Sequence, residues 1–152
     1  MDGLTKTVLE TISSLKPSWE NWVVLLDLST QFHLPEVRAF AIRQLSSASA
    51  GRILERVVWA RKYRVKCWLQ EGLGDLIRRR EMLTDEDAEI LGWKTVAKIY
   101  RARELHRNRL ANTSYYRWDD ALQHAVISKT PVDIGTEFGS ELNEMEDEDH
   151  DE

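Results

Sequence analysis

Cysteine, proline and glycine are scarce in this sequence, and long apolar runs are missing. A single cysteine, Cys67, among 152 residues cannot form an internal disulfide, and it excludes zinc sites built on several thiolates. No stretch of about 18 apolar residues could span a membrane, and the N-terminus lacks the apolar run after a basic start that marks a signal peptide. We therefore expect a protein of a reducing compartment, the cytosol or the nucleus, without membrane association.

The low number of chain breakers also bears on the fold class. Only three prolines and seven glycines interrupt the chain, and no run of alternating β-branched residues is bounded by hairpin turns. Apolar residues instead recur at steps of three and four, which is the period of an α-helix. The sequence predicts an all-α protein, a compact bundle of about six helices whose length fits one domain.

Two helix boundaries are visible near the N-terminus. A short amphipathic helix is expected within residues 1–17, because Pro17 cannot be accommodated in a helix interior. Ser18 is placed to cap the next helix, from Trp19 to about Phe32. That helix is apolar on nearly all sides and is therefore predicted to lie in the middle of the bundle.

A core helical domain is expected over residues 18–112, with Trp22 and Trp68 in its interior. Gly72 and Gly74 each weaken a helix interior by about 1 kcal/mol, so the chain is predicted to bend near Gly72. The pair is too short, and lacks the lysine, for a phosphate-binding loop.

Helix-end signals surround a short acidic segment. Thr84 is predicted to cap a helix that begins with three acidic residues at the positive end of the helix dipole, although its acidic context could also attract a kinase. Gly92 is predicted to end that helix, because glycine tolerates the left-handed backbone of a C-terminal cap.

Two arginines fall on apolar faces of helical wheels. Arg80 shares a face with leucines and an isoleucine, and Arg103 lies in the apolar arc that also contains Trp93. Buried guanidinium groups need compensation, so both side chains are predicted to pair with carboxylates such as Glu81 or Glu104.

The opposite arc of the last strong helix is basic. It consists of Lys94, Lys98, Arg101 and Arg109, our candidate partner-binding residues. Four uses remain open: a solvated helix face, a docking site for an acidic protein surface, a site that the chain's own acidic tail covers in competition with partners, or phosphate contacts to nucleic acid. Nucleic acid is disfavoured, because the sequence has no helix-turn-helix signature and no overall basic charge.

Charge is distributed unevenly along the chain, although the net value is −5. Residues 136–152 contain nine acidic residues and no lysine or arginine. Without these nine, 17 acidic residues remain against 21 basic ones, a formal charge of +4 for residues 1–135. The composition predicts a disordered acidic tail over 136–152, preceded by a weak helix and linker over 113–135.

The sequence contains no pattern typical of a catalytic site or a metal site. Cys67 has no histidine in a recognised partner motif, and no two histidines lie at ligand spacing from each other or from the cysteine. We expect no catalytic residue, no metal site and no cofactor.

Several separated strings resemble one known region. These are WVVLLDLST at 22–30, VRAFAIRQL at 37–45, ARKYRVKCWL at 60–69, and shorter matches at 76–80, 83–84, 91–92 and 103–104. In this order and spacing they resemble the helical region that follows the BTB/POZ domain in a large family of fungal BTB/POZ-domain proteins. The resemblance covers 19–104, so residues 1–17 would be at most a remnant of the last BTB helix.

The resemblance implies a non-enzymatic protein-interaction or scaffold role with an unidentified protein partner. In that family, self-association is expected from the BTB/POZ domain. This sequence is not expected to contain that domain, so dimerisation is not inferred. The alternative function is a nucleic-acid-binding helical domain whose basic helix face is masked by the acidic tail.

Overall fold

The computed structural model describes residues 3–48, 51–112 and 131–146. All regular elements in these ranges are α-helices, which confirms the all-α prediction. The ranges contain eight helices rather than about six, partly because the expected acidic tail contributes one. They are α1 (Gly3–Ser14), α2 (Trp19–Gln31), α3 (Pro35–Ala48), α4 (Ile53–Tyr63), α5 (Lys66–Arg78), α6 (Asp85–Leu91), α7 (Trp93–Asn112) and α8 (Gly135–Glu146). The weak helix predicted at 116–127 lies outside the described residues.

The chain divides into two compact units, Met1–Arg52 and Ile53–Glu152, which we describe separately. In the first unit α2 packs against α3, and Trp22 is buried as predicted. However, α2 is not surrounded on all sides, because Val24 and Leu28 are 55% and 43% exposed. Its buried residues recur at helical spacing and form a single face, so the prediction that α2 lies in the middle of the bundle is wrong.

Ser18 precedes α2 with the extended backbone expected of a capping residue, but its side chain makes no capping hydrogen bond. The pKa of Glu20 is lowered, first by a hydrogen bond from its own backbone amide and second by one from Ser18. The predicted hydroxyl cap is therefore absent.

The second unit is organised around α5. This helix packs against α4, α7 and α8, while α6 packs against α4 and α7. Trp68 is buried as predicted, at 2% exposure. The interior also contains Val57, Leu69, Leu73, Leu76, Ile99 and Phe138, each at most 1% exposed.

The predicted bend at Gly72 does not occur, because α5 runs without interruption from Lys66 to Arg78. A Cβ atom on Gly72 would lie 2.6 Å from Cγ2 of Val57, so the absent side chain is what lets α4 and α5 approach. The helix retains a residue of low helix propensity because close contact between helices outweighs the local cost of about 1 kcal/mol.

We predict that Gly72→Ala lowers the free energy of unfolding by about 1–3 kcal/mol, because the new methyl group overpacks a stiff valine contact. Gly74→Ala is the matched control, since its Cβ would meet its nearest atoms at the ordinary distances of 3.5 and 3.7 Å. Urea denaturation measures both. Equal stability of the two variants would contradict the role assigned to Gly72.

The helix ends around α6 confirm two predictions. Thr84 accepts a hydrogen bond from the amide of Asp87 at 3.2 Å, and Asp87 accepts one from the amide of Thr84 at 3.0 Å, which is a reciprocal capping box. Gly92 ends α6 with φ of +85°, in a region that residues with a side chain rarely adopt. These two caps fix where α6 begins and ends.

Candidate functional site

The expected disordered tail does not hold for residues 136–146, which form most of α8. Phe138, Leu142 and Met145 recur at helical spacing and are at most 7% exposed, so they form a narrow apolar stripe. This stripe lies on the side of α8 that packs against α5 and α7. Acidic composition alone therefore misled the prediction, because three apolar residues at the right spacing are enough to dock one helix. Residues 147–152 lie outside the described residues.

Acidic residues spaced by four accompany the apolar stripe and meet arginines of α7. Asp133 accepts a hydrogen bond from Nη2 of Arg109 at 2.9 Å, and Glu137 pairs with Nη2 of Arg101 at 3.1 Å. From Asp133, just before α8, to Glu137 within it, the residue numbers rise while those of their partners fall along α7. The two helices are therefore antiparallel, and the charge pairs fix their register.

Arg61 at the end of α4 connects three other helices. It grips Glu141 of α8 with two hydrogen bonds, Nε to Oε1 at 2.7 Å and Nη2 to Oε2 at 3.2 Å. Its Nη1 donates to Oγ1 of Thr95 at 2.9 Å and to the carbonyl of Leu91 at 3.4 Å. Because the guanidinium group is planar and presents several donors, one side chain can hold α6, α7 and α8 together.

Polar groups also satisfy both ends of α8. At its start, Asp133 accepts hydrogen bonds from the hydroxyl and the amide of Thr136, which, together with Arg109, lower the pKa of Asp133. At its end, Nη2 of Arg64 donates to the carbonyl of Glu144 at 2.7 Å. A cation there complements the negative end of the helix dipole. Arg64 does this from a left-handed backbone (φ +54°), a position where glycine is the usual residue.

We call the residues that receive this helix the α8-binding surface; they are Arg61, Arg64, Gly74, Lys98, Arg101 and Arg109. Gly74 belongs to it because a Cβ there would lie 3.7 Å from Cδ1 of Ile134, just before α8.

Three of the four candidate partner-binding residues lie in this surface. Nζ of Lys98 lies 5.3 Å from the ring centroid of Phe138, within the range of a cation–π interaction. Arg101 and Arg109 form the ion pairs described above, while Lys94 is exposed. The helical wheel predicted this basic face. It did not predict the pairing of Arg61 with Glu141, because the two residues are 80 positions apart and no local pattern links them.

Apolar contact and charge make different contributions to the docking of α8. Burying one large apolar side chain such as Phe138 is worth roughly 1.5–3 kcal/mol. The ion pairs involve partly exposed groups, with Arg101 and Arg109 at 57% exposure, and each such pair is worth about 0.2–1 kcal/mol. The apolar stripe therefore supplies most of the attraction, and the charges select orientation.

The predictions for Arg80 and Arg103 require correction. Arg80 is exposed, because α5 ends at Arg78 and the helical wheel no longer applies two residues later. Arg103 is buried as predicted, at 4% exposure, but its partners are not carboxylates. It donates to the carbonyl of Leu76 at 3.0 and 2.7 Å and to that of Glu81 at 2.9 Å.

Arg103 thereby supplies hydrogen-bond donors to the C-terminal end of α5. The carbonyl of Leu76 belongs to the last turn of α5, whose carbonyls lack donor partners within the helix. Burial lowers the pKa of Arg103, and the charges of Tyr100 and Glu81 oppose this effect. The helix-end carbonyls supply the hydrogen bonds that the buried guanidinium group needs. Arg78 pairs with Asp75 at 3.5 Å, as expected from their spacing.

Other residues with possible chemistry lie apart from this surface. Cys67 is exposed on α5, and Trp93, the first residue of α7, is 66% exposed rather than buried. Within the described ranges, no group of three or more histidine, cysteine, aspartate or glutamate residues could hold a metal ion. None of the helices in those ranges is long and apolar enough to cross a membrane.

His106 of α7 is buried at 5% exposure, and within the described ranges neither ring nitrogen has a hydrogen-bond partner. Burial lowers its pKa below the ordinary value of 6.5, and Arg78 and Arg109 lower it further. The folded state therefore holds a neutral imidazole, whereas the unfolded chain binds a proton as the pH falls through 6.5.

We predict that the protein loses stability as the pH falls from 7.5 to 5.5, and that His106→Gln removes part of this loss. Stability falls with pH because, between pH 7.5 and 5.5, His106 binds a proton in the unfolded state but not in the folded state. The lowered carboxyl pKa values, from ordinary values of 4.5 for Glu20 and 3.8 for Asp133, act only at lower pH. Melting temperatures at both pH values measure the effect. An identical pH dependence for the variant and the wild type would contradict the assignment.

Comparisons with known proteins gave no relative. No family model, no curated protein and no solved structure matches the chain.

Proposed function

We propose that this chain is a non-enzymatic protein-interaction or scaffold module of the cytosol or nucleus, and that it binds its protein partner through the α8-binding surface. One observation carries the proposal: the surface already holds an amphipathic helix. Phe138, which is fully buried, anchors that helix, and carboxylates on its flank meet three arginines. This combination of an apolar anchor with charge complementarity is the chemistry of helix-in-groove recognition.

The resemblance to the helical region after the BTB/POZ domain supports the same class of function. It spans 19–104 and therefore includes four residues of the α8-binding surface that contact α8 directly: Arg61, Arg64, Lys98 and Arg101.

Affinity capture with the full-length chain tests the proposal. The double variant Lys94→Glu/Lys98→Glu reverses charge on the basic face of α7, while Lys6→Glu reverses an exposed charge on α1 and serves as the control. We expect at least one protein in nuclease-treated cell extract to bind the wild type and the control but not the double variant. If every captured protein binds all three chains equally, this surface is not the binding site.

Nucleic-acid binding by the same face is the alternative function. It would require the arginines to exchange their carboxylate partners for phosphates, which displacement of α8 would allow. A full-length Phe138→Ala chain should then be retained on DNA or RNA in about 50 mM salt, where several phosphate contacts give measurable affinity. Absence of retention would remove this alternative.

A further inference from the structure

We propose that α8 holds, within the chain, the place of an acidic amphipathic helix of a partner protein, and that such a helix displaces it. The inference rests on the proposed function and specifies the chemical class of the partner. Three features of the second unit support it.

The first feature is the weakness of α8 itself. Its interior contains Gly139, and a glycine in a helix interior disfavours the helix by about fivefold relative to alanine. Gly139 is not required by close contact, because a Cβ there would meet nothing within 4 Å. Gly72 differs, because its missing Cβ makes room for Val57. Gly139 therefore lowers the helix propensity of α8 without allowing a closer helix contact. A helix without this glycine would bind the same surface more tightly.

The second feature is that release of α8 leaves the remaining helices intact. The helices α4, α5, α6 and α7 contact one another directly, so α8 can leave the surface without breaking these contacts. The apolar contacts of α4 with α5, and of α5 with α7, do not pass through α8.

The third feature is that the contacts define a ligand pattern. The surface contacts acids at positions 133, 137 and 141 and an aromatic residue at 138, and the apolar residues at 142 and 145 of the same helix are buried. An acid directly before an aromatic anchor, a second acid three residues after the anchor, and aliphatic residues four and seven after it describe the partner helix. Three arginines that converge on this face make a basic helix a poor occupant.

Competition with a labelled peptide tests the proposal in full-length protein. The probe is a fluorescein-labelled synthetic peptide of residues 131–146 that carries Gly139→Ala, followed by anisotropy. We expect the Phe138→Ala protein, in which α8 is loosened, to bind the probe at least tenfold more tightly than the wild type. The Gly139→Ala protein, in which α8 is strengthened, should bind it about fivefold more weakly than the wild type.

A charge swap establishes that the probe occupies the same surface. Arg101→Glu in the Phe138→Ala protein should weaken binding of the probe, and a probe with Glu137→Arg should recover it. Arg101 is 57% exposed, so this change leaves the interior intact. If Phe138→Ala does not give folded protein, Glu137→Lys loosens α8 by repulsion from Arg101 and replaces it.

Two results would overturn the inference. One is equal binding of the probe by the loosened, wild-type and strengthened proteins. The other is a wild-type dimer in which α8 is exchanged, because the occupant would then be a second copy of this chain. If the probe fails while affinity capture still yields a partner sensitive to Lys94→Glu/Lys98→Glu, only the partner class is wrong and the proposed function stands.

Discussion

Phe138→Ala is expected to lower the free energy of unfolding of the second unit by about 3 kcal/mol, the usual cost of truncating a buried phenylalanine. Phe138 is fully buried and lies under the ammonium group of Lys98 at 5.3 Å, so its loss removes the centre of the contact between α8 and the rest of the unit. The loss cannot exceed the free energy with which α8 docks, because beyond that point the protein simply releases the helix. Urea denaturation followed by circular dichroism measures the change.

Asn143→Ala is the control for this prediction. Asn143 lies on the exposed side of the same helix, so its replacement should change stability by less than about 0.5 kcal/mol. If Phe138→Ala and Asn143→Ala were equally stable, α8 would not be docked through its apolar stripe.

Arg103→Met is expected to destabilise the second unit by about 3 kcal/mol, because it leaves buried carbonyl groups without donors. Arg103 makes three hydrogen bonds to the carbonyls of Leu76 and Glu81, and methionine keeps an unbranched apolar side chain but has no donor. Arg103→Lys should recover only a minor part of the loss, since an ammonium group cannot place two parallel donors on one carbonyl and a third on another. Thermal and urea denaturation measure these changes.

Arg107→Met, on the same helix, is the matched control. Its side chain is 71% exposed and pairs with Glu104 at only 4.0 Å, so we expect almost no change in stability. An unaffected Arg103→Met variant would show that the buried guanidinium does not support the end of α5.

Local sequence signals predicted local structure well. Thr84 and Gly92 bound α6 as expected, since a cap depends only on residues within one turn. Gly72 was misjudged because its reason lies in another helix, where Val57 occupies the space of the missing Cβ. Arg80 was misjudged because a helical wheel assumes that the helix continues, whereas α5 ends at Arg78.

The sequence predicted one side of the candidate site, the basic face, but not the helix that covers it. The wheel of α7 revealed the basic face, and covering of that face by the acidic tail was one of four uses left open. Composition argued against structure in the tail, because acids outnumber apolar residues there. The ion pair of Glu141 with Arg61 shows that an acidic residue of this segment can help to dock a helix. A partner 80 residues away, however, leaves no trace in the local sequence pattern. Acids at 133, 137 and 141 beside apolar residues at 138, 142 and 145 were the available signal.

The position of α8 changes how the basic face should be regarded. The arginines of this face, Arg101 and Arg109, and the neighbouring Arg61 of α4 each already pair with a carboxylate. Any protein or nucleic-acid partner of this face must therefore compete with α8. Salt should favour release, since ionic screening weakens partly exposed ion pairs more than the buried contact of Phe138.

Hydrogen exchange of the full-length chain, read by mass spectrometry on peptides from residues 135–146, tests most directly whether α8 is docked on the basic face. Docking predicts that backbone amides of α8 exchange at least about tenfold more slowly than an unstructured chain, because they open only when the helix leaves its surface. Phe138→Ala should abolish this protection while α5 and α7 keep theirs. Exchange of residues 135–146 at the unstructured rate in the wild type would contradict the account.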